Sequence, residues 1–119
     1  VSDRVIIFGS RHWFDAHYIW RQLVLLPRDA IIVHGACRTG ADAYADQYAT
    51  ECGHTVERYP ADWAAYGRAA GPRRNLQMAE RGATRALGFR TLGKSNGTDD
   101  MARACALFGI PVVRHGWWP

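Results

Sequence analysis

Short apolar runs alternate along the chain with longer stretches in which apolar positions recur every three or four residues, the pattern of strands interleaved with amphipathic helices. Arg4 to Phe8 reads as a buried strand. From Asp15 a helical pattern puts Ile19, Leu23 and Leu26 on one face, with Asp15 as N-cap and Pro27 as the stop. Ala30 to Val33 predicts a second strand. Ala41 to Glu51 predicts a second helix, with Ala45, Tyr48, Ala49 and Cys52 as its inner stripe and Gly53 as its end. His54 to Tyr59 predicts a third strand, and Pro60 to Gly71 reads as a loop longer than the usual connection of about 2 to 6 residues, which points to function. Pro72 takes the helix-starting place, and the third helix runs through Leu76 and Met78 to Gly82. Thr84 to Phe89 predicts a fourth strand, weakened by Gly88. Arg90 to Asn96 is a polar loop, Gly97 to Phe108 the last helix, and Ile110 to Arg114 the fifth strand after Gly109. The tail Gly116 to Pro119 fits no element.

Five strands alternating with four helices predict an open, mainly parallel sheet covered on both faces: a Rossmann-like three-layer α/β fold, one domain over residues 1–119. The loops rich in polar residues follow strands, which places the chemistry at the carboxyl edge of the sheet. A content of 48% hydrophobic and 22% charged residues is that of a globular chain. The net charge of +4 suits an anionic ligand, yet the arginines are dispersed and form no polycationic tail. Cys37, Cys52 and Cys105 have no C-x-x-C spacing, which argues against a disulfide framework and a thiolate zinc site. A reduced, cytoplasmic setting is expected, with no metal and no cofactor. No stretch approaches the roughly 18 apolar residues of a membrane span and no signal peptide is recognisable, so no membrane partner is expected. The chain begins at Val1 without Met, so a few residues are expected to have been removed or left out ahead of it.

The candidate chemistry lies in four turns. Gly35 to Gly40, with Arg38, Thr39 and Asp42, follows the second strand and opens a helix, where backbone amides and the helix dipole favour an anion. Its glycine spacing is that of a phosphate loop, but Ala41-Asp42 stands where a Walker motif needs Lys and Ser or Thr. No G-x-G-x-x-G follows the first strand; instead Gly9-Ser10-Arg11 offers a small-residue turn with a guanidinium able to clamp phosphate. In the long loop, Asp62 is suited to ribose hydroxyls, and Trp63 either stacks on a base or anchors its own loop. Arg73, Arg74 and Asn75 read as a first helical turn, where cations are unfavourable unless an anion lies between them. Gly97 and Thr98 form a fourth turn, with Thr98 capping or contacting phosphate. Asp99 and Asp100 read as helix stabilisers, and His34 as a structural histidine.

Taken together, Phe8-Gly9-Ser10-Arg11, Val33 to Asp42, Pro60 to Trp63 with Gly67 to Asn75, and Gly97-Thr98 with Gly109 to Val112 resemble the YspA-type branch of the SLOG superfamily over nearly the whole chain. The resemblance implies a Rossmann-like domain that senses or processes nucleotide-derived ligands, and a phage or mobile-element source. Relatives include the Lonely Guy phosphoribohydrolases and the Rossmann domain of the DNA-processing protein DprA. It also implies that Gly9, Ser10, Arg11, Gly35, Arg38, Gly40, Asp42, Gly97 and Thr98 surround a phosphate or sugar. One departure stands out: the glutamate of the Lonely Guy motif P-G-G-x-G-T-x-x-E falls on Met101, which cannot transfer a proton.

The expectation is therefore binding or sensing of a nucleoside phosphate or ADP-ribose-like molecule. An N-glycosidase with Asp42 or Asp62 supplying the carboxylate is the alternative. Single-stranded nucleic acid binding through basic residues and Trp63, Trp117 and Trp118 comes third, because aromatic and basic residues are not interleaved on one element. A homo-oligomer covering the tail tryptophans is compatible with all three.

Overall fold

The computed structural model describes residues 2–117. Its sheet has five parallel strands, β1 (Arg4–Gly9), β2 (Ile31–His34), β3 (Thr55–Arg58), β4 (Arg85–Phe89) and β5 (Val112–His115), in the order β3-β2-β1-β4-β5. The chain builds outward from β1 on one side, then crosses back to build on the other. This is the Rossmann-like α/β architecture, and the reversal of direction falls between β1 and β4.

The period-two alternation of β1 divides the core. Val5 and Ile7 face one layer with Ile19, Leu23, Ala45 and Phe89, while Ile6 and Phe8 face the other with Met78, Met101 and Cys105. Helices α1 (Ala16–Leu23) and α2 (Gly40–Glu51) cover the first face. Helices α4 (Ala70–Arg81) and α5 (Asn96–Leu107) cover the second, and α3 (Trp63–Tyr66) lies ahead of α4.

Asp15 caps α1 by accepting the Tyr18 amide at 3.0 Å. The helix stops at Leu23, ahead of Pro27, and Leu26 is buried from the following turn, where its amide donates to the Leu23 carbonyl. Cys52 is exposed at the C-cap of α2 and lies outside the expected inner stripe. Gly88 does not weaken β4; it makes room, since a Cβ there would lie 2.6 Å from the Phe8 ring. The segment 60–71 is not a single loop. It holds α3, a 3₁₀ turn at Gly67–Ala69 and the first residues of α4, which starts two residues before Pro72.

Of the tail, Trp117 packs edge-on against Phe8 with ring centroids 6.2 Å apart, and the Arg114 guanidinium sits 5.6 Å from its ring. Trp118 lies outside the described residues. Among those described, no helix is long and apolar enough to cross a membrane.

Candidate functional site

Between the carboxyl ends of β1 and β4, at the reversal of strand order, the surface opens into a cleft of about 330 Å³. Phe8, Met78 and Met101 give it apolar lining; Arg11, Arg74 and Lys94 supply its cations. A larger chamber of about 740 Å³, which Arg38 and Trp63 border, adjoins it.

The turn after β1 is fixed from three sides. The Ser10 amide donates to the Phe89 carbonyl at 2.8 Å, and the Ser10 carbonyl accepts the Ala41 amide at 3.1 Å and the Trp13 amide at 3.2 Å. The Ser10 hydroxyl accepts from the His12 amide at 3.0 Å and from the Thr91 hydroxyl at 2.8 Å. So close a contact demands glycines: a Cβ on Gly9 would lie 2.2 Å from the Phe89 carbonyl oxygen, and one on Gly40 2.2 Å from that of Ser10. Arg11 projects past this locked turn and lines both hollows.

The turn after β2 is built differently from the anion cradle its spacing suggests. His34 is buried; its Nδ1 accepts the Ala36 amide at 2.9 Å, so Nε2 carries the proton and donates to Asp46 at 2.6 Å. Ala36 adopts a left-handed φ of 60°. The Cys37 amide then donates at 3.2 Å to the carboxylate of Asp42, which is only 6% exposed, while the Ala41 amide is taken by Ser10. An acid from the first turn of α2 thus occupies the turn. Burial raises the Asp42 carboxyl above the ordinary aspartate range, against the opposing pull of the Cys37 and Gly35 amides and Arg74.

The start of α5 has no such internal anion. Its N-cap Ser95 makes no side-chain cap bond, and the first helical bond runs from the Asp99 amide to the Ser95 carbonyl at 2.8 Å. The amides of Asn96, Gly97 and Thr98 are therefore left without an intrahelical acceptor, and all three residues line the cleft. The loop before it is tied down by Arg90, which donates to both Asp99 oxygens at 2.8 and 3.2 Å and holds that carboxyl below its usual range.

Arg74 and Asn75 join the loops. Arg74 donates to the carbonyl of Gly35, to that of Tyr59 at 3.2 Å and to Asn75 Oδ1 at 2.9 Å; Asn75 in turn donates to Asp100 at 2.9 Å. Burial lowers the pKa of Arg74 and Asp42 offsets this, yet a guanidinium stays charged.

The structure thus brings Gly9, Ser10, Arg11, Gly35, Asp42, Arg74, Asn75, Gly97 and Thr98 to one cleft, with Arg38 and Trp63 in the adjoining chamber. Four expected residues line neither. Gly40 packs under Ser10, and Thr39 is the exposed N-cap of α2. Asp62 is exposed and caps α3 by accepting the Ala65 amide at 3.1 Å. Arg73 lies outward with its guanidinium 4.0 Å from the centre of the Tyr66 ring, whereas that of Arg74 reaches the carbonyls of Gly35 and Tyr59, so the two guanidiniums are directed apart; because α4 begins at Ala70, neither belongs to its first three residues. Thr98 is two residues inside α5 rather than its cap.

Sequence reading passed over Lys94 and Arg103. Asn96, Asp100 and Arg103 are spaced i, i+4 and i+7, the signal of one helical face. Among the described residues, no group of three or more His, Cys, Asp or Glu is arranged to hold a metal ion.

Comparison with known proteins gives three likenesses. The chain resembles the Gene 61 protein of Mycobacterium phage D29, with 38% identity over 122 residues covering 95% of this chain and 96% of the phage protein. This relative supports the phage source that the sequence pattern implied. Among solved structures, the C-terminal domain of a hydrogenase from Pyrococcus furiosus superposes with a TM-score of 0.51 and 13% identity, covering 95% of this chain and 91% of that one, a likeness of fold alone. Residues 3–66, from β1 to the end of α3, match the family described as YspA, cpYpsA-related SLOG (YAcAr). With the turns after β1 and β2 inside that match and a phage relative along the rest of the chain, the protein belongs to the YspA, cpYpsA-related SLOG family.

Proposed function

We propose that the protein binds a nucleotide-derived ligand, a nucleoside phosphate or an ADP-ribose-like molecule, in the cleft between the carboxyl ends of β1 and β4. The observation that carries this reading is the start of α5, where the amides of Asn96, Gly97 and Thr98 meet a hollow that Arg11 and Lys94 also line. Unassigned amides at a positive helix end, flanked by cations, are the physical requirements of a phosphate seat. Membership in the SLOG family points to nucleotide-related binding or processing and agrees with it. Asp42, the carboxyl group in the cleft lining, is the candidate to accept from sugar hydroxyls.

Calorimetric titration at low salt with AMP, ADP-ribose, NAD and cyclic dinucleotides tests the reading. Binding of at least one is expected, and Arg11→Ala should weaken it about tenfold or more, since a charge-assisted hydrogen bond contributes roughly 1.5–3 kcal/mol. The absence of binding across the panel would overturn the proposal.

A second reading, cleavage of an N-glycosidic bond, is favoured by the raised pKa of Asp42. Burial, by raising the pKa of a carboxyl in the cleft wall, makes its protonated form easier to reach, and that form can deliver a proton to a departing base while water adds at the anomeric carbon. Against it, Met101 stands where the related phosphoribohydrolases have glutamate, and it is buried in the cleft lining. Release of free base from AMP or NAD, lost in Asp42→Asn, is the expected outcome of this reading; intact substrate would dismiss it.

A further inference from the structure

The larger chamber is more strongly cationic than a single phosphate requires. Arg11 and Arg74 border it together with the smaller cleft, and Arg38, Arg68 and Arg103 belong to it alone. Asp100 is the acidic residue in its lining, already accepting from Asn75 and lying 3.9 Å from Arg103. Among the described residues, Arg11, Arg38 and Arg68 meet no carboxylate. Guanidiniums gathered around a concavity without partners repel one another, and an anion placed among them relieves that repulsion.

The same chamber has an aromatic wall. Trp63 is 57% exposed, and the edge of its ring lies against α4, 3.2 Å from where a Cβ of Gly71 would be. A supported indole with open surface beside arginines suits a heterocyclic base, which stacks on it irrespective of base identity. Size agrees with two occupants: about 330 Å³ stands near the lower end of ordinary ligand pockets, roughly 300–1,000 Å³, whereas about 740 Å³ adds room for a second sugar and base.

From these features we infer that the site takes a dinucleotide: one phosphate at the start of α5, a second among Arg38, Arg68 and Arg103, and a base against Trp63. The shared chemistry is two phosphate groups with a nucleoside on the far one, joined through a pyrophosphate or through a phosphodiester. This inference rests on the nucleotide-binding reading and specifies its ligand class. A mononucleotide would leave the arginines of the larger chamber unneutralised.

The test is titration of the full chain with AMP, NAD and the linear dinucleotide pApA, on wild type and on the double variant Arg68→Ala/Arg103→Ala. Both substituted residues are exposed, so the fold should persist, which circular dichroism verifies. NAD or pApA should bind at least about tenfold more tightly than AMP, and the double variant should remove this advantage while leaving AMP within about twofold. Preference for NAD assigns the pyrophosphate linkage, and preference for pApA the phosphodiester. Trp63→Phe should also reduce the fluorescence quenching produced by the preferred dinucleotide. If AMP binds as tightly as both dinucleotides, or if the double variant binds all three as wild type does, the dinucleotide inference fails and the nucleotide reading survives. If none of the three binds, the dinucleotide inference fails, and the nucleotide reading falls with it only when ADP-ribose and cyclic dinucleotides do not bind either.

Discussion

Cys37 donates its amide to the buried Asp42 carboxylate at 3.2 Å, and among the described residues no cation forms an ion pair with that acid. Its charge is held by peptide dipoles and by the guanidinium of Arg74, which is insufficient to offset burial. A folded-state pKa above that of the unfolded chain means that folding retains a proton which unfolding releases. The stabilising contribution is therefore complete below the ordinary value of 3.8 and is lost as pH rises through the raised folded value. Asp42→Asn, neutral and of similar shape, is expected to melt above wild type near neutral pH, with the gap closing as pH falls below the ordinary aspartate range. Melting curves across that range check this, and a gap that did not vary with pH would contradict it.

Gly97 separates folding from binding. Beyond its chain neighbours and the backbone of its own helix, no heavy atom lies within 4 Å of where its Cβ would be, and it occupies the first turn of α5. Gly97→Ala should leave stability unchanged or raise it by up to about 0.5–1 kcal/mol, because alanine loses less backbone freedom in a helix. The same methyl group would stand between a phosphate and the exposed amides, so nucleotide affinity should fall about tenfold or more. Paired denaturation and calorimetry resolve the two effects.

Gly40 should behave in the opposite way. Its φ of +71° lies in the left-handed region, and a Cβ would lie 2.2 Å from the Ser10 carbonyl oxygen. Gly40→Ala carries about 1–3 kcal/mol of conformational strain before the clash is counted. Its chemical denaturation midpoint should drop sharply, along with binding, because the turn after β1 would be displaced.

The three thiols should react in a defined order. Cys52 is exposed, Cys37 is half-buried at the cleft, and Cys105 is buried, with burial pushing its pKa up to about 11. Maleimide labelling of native protein followed by mass spectrometry should mark Cys52 first and Cys105 only after unfolding. A bound nucleotide should slow labelling of Cys37 alone. Equal protection of Cys37 and Cys52 would place the ligand elsewhere.

The order of strands and helices was legible because each buried run is short, apolar and bounded by turn residues, as Val5 to Phe8 is by Gly9. Segment 60–71 was not, since α3 and the 3₁₀ turn bury no residue and so leave no apolar period to read. Cys52 continues the spacing of Ala45 and Ala49, but the helix ends beneath it and the stripe loses its meaning there. The glycine spacing marked the turn after β2 as a place for an anion, and in the structure an anion is there: the carboxylate of Asp42. Only the geometry reveals that the chain supplies it. Arg73 and Arg74 are neighbours in sequence, yet a helix turns about 100° per residue, sending one to Tyr66 and the other to Gly35.

Because all five strands run the same way, the two rims of the sheet are free to change separately. The returns near Gly53, Gly82 and Gly109 lie at the rim away from the cleft, and each has open space beside its α-carbon. A fluorophore or affinity handle grafted into one of these returns can report on the molecule without obstructing its gripping side. By the same geometry, drift in those returns alters how the chain doubles back, whereas drift at the opposite rim alters what the protein holds.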